Sequence, residues 1–414
     1  MFGLNRSPRN VVFGEGQRAS IGRFAAQLGR RVLVVTDTRM ESLPEFRAIL
    51  DQLDAAGLKH ATYCGVEAEL PAASLDGGVV VGQALDADVV LGIGGGSCLD
   101  AAKVIALLLS HGGRPSDYYG EFKVPGPTLP VIAVPTTSGT GSEATPVAVV
   151  SDKDRALKVG IASPHLVPHT AICDPELTYT CPPALTAIAG ADALVHAIEA
   201  FTTRPRPADG ALVHDHVFVG KNVTSDLYAL EAVRLIGAGL ERACSHPGDA
   251  QARADVMLGA LLAGQAFGVA GTSICHAAQY PIGARTHTPH GLGVAVMLPY
   301  ALEFNRHYAG REIAQIGMAL GAVGTDIAEQ EAVEATIVFI EKLLTNIGVP
   351  PNLETLGLAA TDLDWTAENA MSANRLIKNN PRVIELSDMA ALLRAAHAGD
   401  RMQLRQTEHR EAAS

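Results

Sequence analysis

The sequence predicts an α/β domain built on a parallel sheet, followed by an all-α domain. Three observations carry this reading. Through about residue 180, short β-branched runs alternate with amphipathic helical stretches, the pattern of β–α–β units that cover a parallel sheet with helices. Beyond that point the strand-like runs give way to long Ala- and Leu-rich segments. A run of three glycines, Gly94, Gly95 and Gly96, separates the clearest strand from the clearest helix, where open α/β sheets bring backbone close to ligands.

In order along the chain, residues 31–36 (RVLVVT) read as a buried strand and 44–56 as its helix. Residues 60–64 and 75–85 read as a second pair, and 88–93 (DVVLGI) and 98–109 as a third. Residues 129–134 (LPVIAV) give a further strand, ended by Pro135. The change of character at TYTCPP sets the boundary, with 1–180 the α/β domain and 181–414 the helical one. Helices are predicted over 184–201, 225–242, 250–269, 290–304 and 332–347, with a fraying polar tail over 401–414.

Of 414 residues, 48% are hydrophobic and 18% charged, a composition that folds around a core and is not a disordered one. The net charge of −12 argues against a nucleic-acid partner held by bulk electrostatics. No apolar run reaches the roughly 20 residues of a membrane span, and MFGLNRSPRN lacks the apolar core of a signal peptide. The six cysteines form no C-x-x-C pair, which fits reduced thiols and a cytoplasmic location.

Two loops offer anion and nucleotide chemistry. Gly94, Gly95 and Gly96 leave the backbone bare, and a helix starting near Ser97 aims unsatisfied N–H groups and a positive dipole end at an approaching phosphate. The competing reading is a plain tight turn with Ser97 as N-cap. After the next strand, Pro135 to Glu143 (PTTSGTGSE) exposes hydroxyls and N–H groups where such sheets bind ligands. Asp37, just past the first strand, can accept both ribose hydroxyls of NAD and would repel the 2′-phosphate of NADP; otherwise it is a turn residue.

In GADALVHAIEAF, Asp192 and His196 are four apart and share one helix face. His276 and His290 are fourteen apart across Pro281, Gly283 and Pro289, so no single helix holds both and the chain can fold back to bring them together. One carboxylate and three imidazoles suit Fe(II) or Zn(II). Each histidine alone would more often be a packing or capping residue.

Together, GGGSCLDAAK, PTTSGTGSEATPVAVVSD, ICDPELTYTCPPALTAIAGADALVHAIEAF and HAAQYPIGARTHTPHG resemble the iron-containing (group III) alcohol dehydrogenase family. That resemblance implies a Rossmann-like dinucleotide-binding domain, a helical metal-binding domain, and catalysis in the cleft between them. It implies Asp192, His196, His276 and His290 as metal ligands, with Fe(II) expected and Zn(II) the alternative. It places NAD on Asp37, Gly94, Gly95, Gly96, Ser97, Thr136, Thr137, Thr140, Thr145 and Lys158; Asp100 and Lys103 match its motif too. The partners it implies are a small-molecule substrate and a second copy of the chain in a homodimer, with no nucleic acid and no membrane.

Two departures bear on substrate. Many members carry a further histidine four residues after the first loop ligand; here Tyr280 stands there, able to pass a proton or bind substrate, and His287 is a candidate replacement. The link after Thr202, TRPRPADGALVHDHVFVGKNVTSD, is longer than the common pattern. Both features resemble the branch containing hydroxyacid–oxoacid transhydrogenase, which handles short hydroxy acids such as 4-hydroxybutyrate. Arg204, Arg206 and Lys221 are cations available there for an anionic substrate, or solvated loop charges. The expected reaction is metal-assisted hydride transfer between NAD(H) and an alcohol or aldehyde. Its rivals are a transhydrogenase with retained cofactor, the different chemistry of dehydroquinate synthase and glycerol dehydrogenase relatives, and a silent dinucleotide sensor.

Overall fold

The computed structural model describes residues 1–153 and 158–405. Its strands are β1 (Asn10–Phe13), β2 (Arg31–Val35), β3 (Lys59–Tyr63), β4 (Val89–Gly94), β5 (Gly120–Glu121), β6 (Val131–Pro135), β7 (Val147–Val150), β8 (Val159–Ala162) and β9 (Thr170–Cys173). The helices are α1 (Ile21–Leu28), α2 (Thr38–Glu41), α3 (Pro44–Ala55), α4 (Leu75–Leu85), α5 (Gly96–His111), α6 (Pro183–Thr202), α7 (Leu212–Asp215) and α8 (Val223–Ser245). They continue with α9 (Ala250–Ala270), α10 (Ile274–Thr286), α11 (His290–Asn305), α12 (Gly310–Ala319), α13 (Glu329–Asn346), α14 (Leu363–Met371), α15 (Asn374–Asn379) and α16 (Leu386–Ala398).

Two compact units result. One comprises Asn5–Cys181 with Asp209–Val217; the other comprises Met1–Leu4, Pro182–Ala208 and the chain from Phe218 onward. The predicted single cut after residue 180 misses the exchange of 1–4 and 209–217, because contacts rather than chain order decide it.

The first unit holds a six-stranded parallel sheet in the order β1-β9-β6-β4-β2-β3. Strand side chains alternate faces. Val32 and Val34 join a core with Ile21 of α1 and Phe46, Ile49 and Leu53 of α3, while Leu33 and Val35 join Leu75 of α4 and Ala101, Val104 and Ile105 of α5. Burial on both faces explains why these strands read as continuous apolar runs. A smaller sheet, β5-β8-β7, lies apart from it. Chain order runs outward from β2 to β3, then returns to β4 on the other side of β2. The carboxyl ends of β2 and β4 therefore flank the switch point, where such sheets take ligands.

The second unit is helical among its described residues. α6 packs on α8 and α9, which pack on each other. Contrary to the sequence expectation, α6 is by length and composition apolar enough to cross a membrane. It is instead a core helix, buried without interruption from Gly190 to Thr202, and its three polar side chains there, Asp192, His196 and Glu199, build the site described next.

Candidate metal and cofactor sites

Three helices deliver the metal cluster. Asp192 and His196 lie one turn apart on α6. Gly271–Ser273 turns the chain by 102° between α9 and α10, placing His276 in the first turn of α10. The break between the loop histidines falls at 287–289 and not at Pro281, which lies inside α10; that helix forgoes one i→i−4 hydrogen bond and continues. α11 then opens on His290.

Ligand atoms of Asp192, His276 and His290 all lie within 4.8 Å of one another. Nε2 of His196, of His276 and of His290 is each 3.9 Å from Asp192 Oδ1. The His196 ring stacks on Phe267 at 4.2 Å and on His276 at 4.7 Å between centroids.

Glu199, which the sequence reading did not single out, orients His276. Its carboxylate accepts the His276 Nδ1–H at 2.6 Å, the N–H groups of Ser273 at 2.9 Å and Cys275 at 2.7 Å, and the Ser273 hydroxyl at 3.1 Å. Burial alone would raise this carboxyl's pKa; the His276 ring and the two backbone donors outweigh it and hold it below the ordinary carboxylate range. With its proton fixed on Nδ1, His276 turns a lone pair outward at Nε2. That atom is buried and has no hydrogen-bond partner. Beside one carboxylate and two further imidazoles it completes a donor set that a divalent ion satisfies.

Tyr280 lies one turn beyond His276, its ring 6.3 Å from that of His290. Burial raises the pKa of its phenol; Arg375 opposes this, while Glu199 and Asp192 add to it. His287 is placed differently: it is exposed, ends α10 in the left-handed region at φ 54°, and donates its N–H to Gly283.

The three link cations are engaged in holding the chain. Arg204 donates to the Pro381 carbonyl at 3.0 Å and Arg206 to Asn379 Oδ1 at 3.2 Å. Lys221 donates to the Phe201 carbonyl at 2.8 Å, pairs with Asp226 at 2.9 Å and lies over the Phe201 ring.

In the first unit, Asp37 caps α2 by accepting the Met40 N–H at 2.7 Å, and its second oxygen meets the Cys98 thiol at 3.6 Å. This contact links the ends of β2 and β4 at the switch point. α5 starts at Gly96 with Gly95 as N-cap, not Ser97, and no side chain caps it; its first N–H groups remain available to an anion. Gly94 has φ +145°, and a Cβ there would meet Cys98 Sγ at 2.6 Å; at Gly96 it would meet Thr140 Cγ2 at 2.5 Å. The glycine turn and the hydroxyl loop are thus in contact. Thr137 also faces Gly95, and the Thr136 N–H donates to the Gly94 carbonyl.

Asp100 and Thr145 brace this arrangement from behind. Asp100 accepts from the Ser142 hydroxyl and from the Val149 N–H at 2.9 Å. Lys103, fully buried, donates to Thr145 Oγ1 and to the carbonyls of Thr145 and Val147. Lys158 pairs with Glu69.

Comparison with known proteins decides the family. The model for the iron-containing alcohol dehydrogenase matches residues 8–175, and that for the C-terminal part of the Fe-containing alcohol dehydrogenase family matches 186–397. This chain belongs to the iron-containing alcohol dehydrogenase family. It is accordingly an oxidoreductase. The sequence is 31% identical over 390 residues to an NAD-dependent methanol dehydrogenase of Bacillus methanolicus, covering 94% of this chain and 98% of the other. It is 32% identical over 392 residues to the sulfoacetaldehyde reductase of Bilophila wadsworthia, covering 94% and 97%. The crystal structure of a 1,3-propanediol oxidoreductase superposes with TM-score 0.89 at 31% identity, covering 96% of this chain and all of that one. The expected α/β-then-α order is the order of this family's fold.

Proposed function

We propose that this chain is an NAD(H)-linked, Fe(II)-dependent alcohol dehydrogenase and aldehyde reductase acting on a short substrate with an anionic end. The observation that carries the metal half is the convergence of three imidazoles on Asp192, with Glu199 fixing the tautomer of His276. Kinship with a sulfoacetaldehyde reductase supports the anionic substrate. A divalent ion held by Asp192, His196, His276 and His290 supplies a Lewis acid for the substrate oxygen, and NAD(H) exchanges the hydride.

The chain's own groups do the rest. The uncapped start of α5 and the glycine turn bind the pyrophosphate, and the hydroxyl loop flanks it. Asp37 offers a carboxylate to the ribose and disfavours a 2′-phosphate. Tyr280, whose phenol keeps its proton, can donate a hydrogen bond to a substrate oxygen beside His290.

Chelator-treated protein is expected to lose turnover of short aldehydes with NADH and to regain it with Fe(II), more fully than with Zn(II). Full turnover by metal-free protein would overturn the proposal.

A further inference from the structure

We infer that Arg375 is the residue that binds the anionic end of the substrate, and that the long link after Thr202 serves to hold Arg375 in place. The inference rests on the anionic substrate proposed above and names the group that selects it.

Arg204, Arg206 and Lys221 each hold backbone or side-chain partners within the link and its surroundings. Arg375 is placed differently. It lies in the first turn of α15, half-buried, with its guanidinium carbon 4.2 Å over the centroid of the Phe218 ring. Phe218 belongs to the long link and is itself buried at 2% exposure. It is fixed there because the next residue, Val219, donates its N–H to the Val269 carbonyl at 2.7 Å.

The far end of α15 is tied to the turn that launches α10. Asn379 donates to the carbonyls of Ala270 and Thr272 at 3.0 and 3.2 Å. A Cβ on Gly271 would lie 3.6 Å from Arg375 Nη1, so the guanidinium reaches the entrance of the helix that carries His276 and Tyr280. α15 packs against α10. At the Tyr280 phenol, the positive charge of Arg375 opposes the negative charges of Glu199 and Asp192. Arg375, Tyr280 and His290 therefore follow one another from the link toward the metal cluster.

A guanidinium stacked on an aromatic face still presents its N–H edges, which match a carboxylate or sulfonate in two parallel hydrogen bonds. A substrate whose reacting oxygen lies at the cluster would thus meet Arg375 with its other end. The pocket is otherwise rich in carboxylate, so this cation decides whether a second anion is tolerated there.

The test uses the full chain loaded with Fe(II) and compares kcat/KM with NADH for 4-oxobutanoate, sulfoacetaldehyde and neutral butanal. The wild type should favour the two anions; if it favours butanal, the anionic substrate class falls, and this assignment with it, before any variant is made. Given that preference, Arg375→Met should lower the anion-to-butanal ratio about 10- to 100-fold, as loss of charge-assisted hydrogen bonds implies, chiefly through KM. Arg375→Lys, which keeps the charge but not the fork, should fall between. Arg206→Met should leave the ratio within about threefold of wild type, the scatter expected of a substitution that touches no substrate. Isothermal titration with succinate gives a readout free of turnover, and binding should weaken at least about tenfold in both Arg375 variants. An unchanged ratio and unchanged succinate binding in the Arg375 variants would overturn the assignment. So would an equal fall in Arg206→Met. Equal loss on all three substrates, with succinate binding intact, would show a structural role and overturn it as well.

Discussion

Glu199 converts a cluster of polar side chains into an ordered set of donors. It accepts four hydrogen bonds in a buried site, so it holds both the first turn of α10 and the proton on His276. Glu199→Gln keeps the shape but replaces one acceptor oxygen with an NH2 group that faces donors. Metal affinity is expected to fall about 10- to 100-fold, as for other outer partners of metal-bound histidines, read by chelator competition on protein whose circular dichroism is unchanged. Unaltered affinity would mean that His276 needs no such support. Asp37 is the matching residue in the cofactor half. Asp37→Ala removes the cap of α2, at a cost of about 1 kcal/mol, together with the carboxylate that disfavours a 2′-phosphate. The ratio of kcat/KM for NADPH over NADH should rise at least about tenfold; no rise would place the ribose elsewhere. Much of this was legible in the sequence: the four-residue spacing of Asp192 and His196 and the broken stretch between His276 and His290 brought the ligands into view. Glu199 was not, although D-x-x-x-H-x-x-E puts it on their helix face, because an acid three residues past a histidine is ordinary on any helix. Arg375 was hidden for a different reason: its meaning comes from Phe218, 157 positions away, and no local spacing encodes that contact.

Among the elements, the glycine turn, the hydroxyl loop and α5 act as one assembly. Lys103 and Asp100 lie on α5 and reach into the segment from Ser142 to Val149, while Gly96 gives Thr140 its room. Burial lowers the Lys103 pKa to about 8, with Asp100 and Glu143 opposing the shift. These carbonyls and carboxylates are nevertheless what keep an ammonium tolerable in the interior. Gly96→Ala would press a methyl group into Thr140, leaving the sheet intact but moving the hydroxyl loop off the turn. KM for NADH should rise about tenfold or more with little loss of thermal stability. A cold-shifted melting curve at unchanged KM would instead show that the contact is only structural. The strongly periodic elements were readable before folding. The predicted strand 31–36 is β2, ending one residue earlier, and the predicted helix 250–269 is α9. β1, β9 and the small sheet escaped because their strands are four residues or fewer, too short to show a period. α10 escaped because Pro281 and Gly283 interrupt its pattern, and tertiary packing on α11 and α14 overrides that local signal.

At the scale of the whole chain, the end of the described sequence is locked to the helix that begins at His290. Arg401 pairs with Glu303 near the end of α11 and with Glu334 and Glu341 of α13; Arg405 pairs with Glu303 and Glu334, and Arg306 joins the same two. Three cations and three carboxylates thus tie residues 401–405 to α11 and α13. The Glu303 side chain has no exposed surface, and burial alone would raise its pKa; the three arginines outweigh this and lower it. Arg401→Ala would leave this carboxylate under-compensated and should cost about 2–3 kcal/mol in urea unfolding. Glu334 gives the pH signature. Hydrogen bonds from Arg401, against a smaller opposing effect of burial, lower it from 4.5 to about 2. Its folded-state pKa lies below its unfolded one, so its contribution is complete above pH 4.5 and disappears as pH falls to about 2. Wild type and Glu334→Gln should therefore differ in melting temperature at pH 6 and converge as pH is lowered through that window. A gap that stays constant down to pH 3 would mean that the Glu334 ion pairs contribute nothing, and that the chain end is held by packing alone.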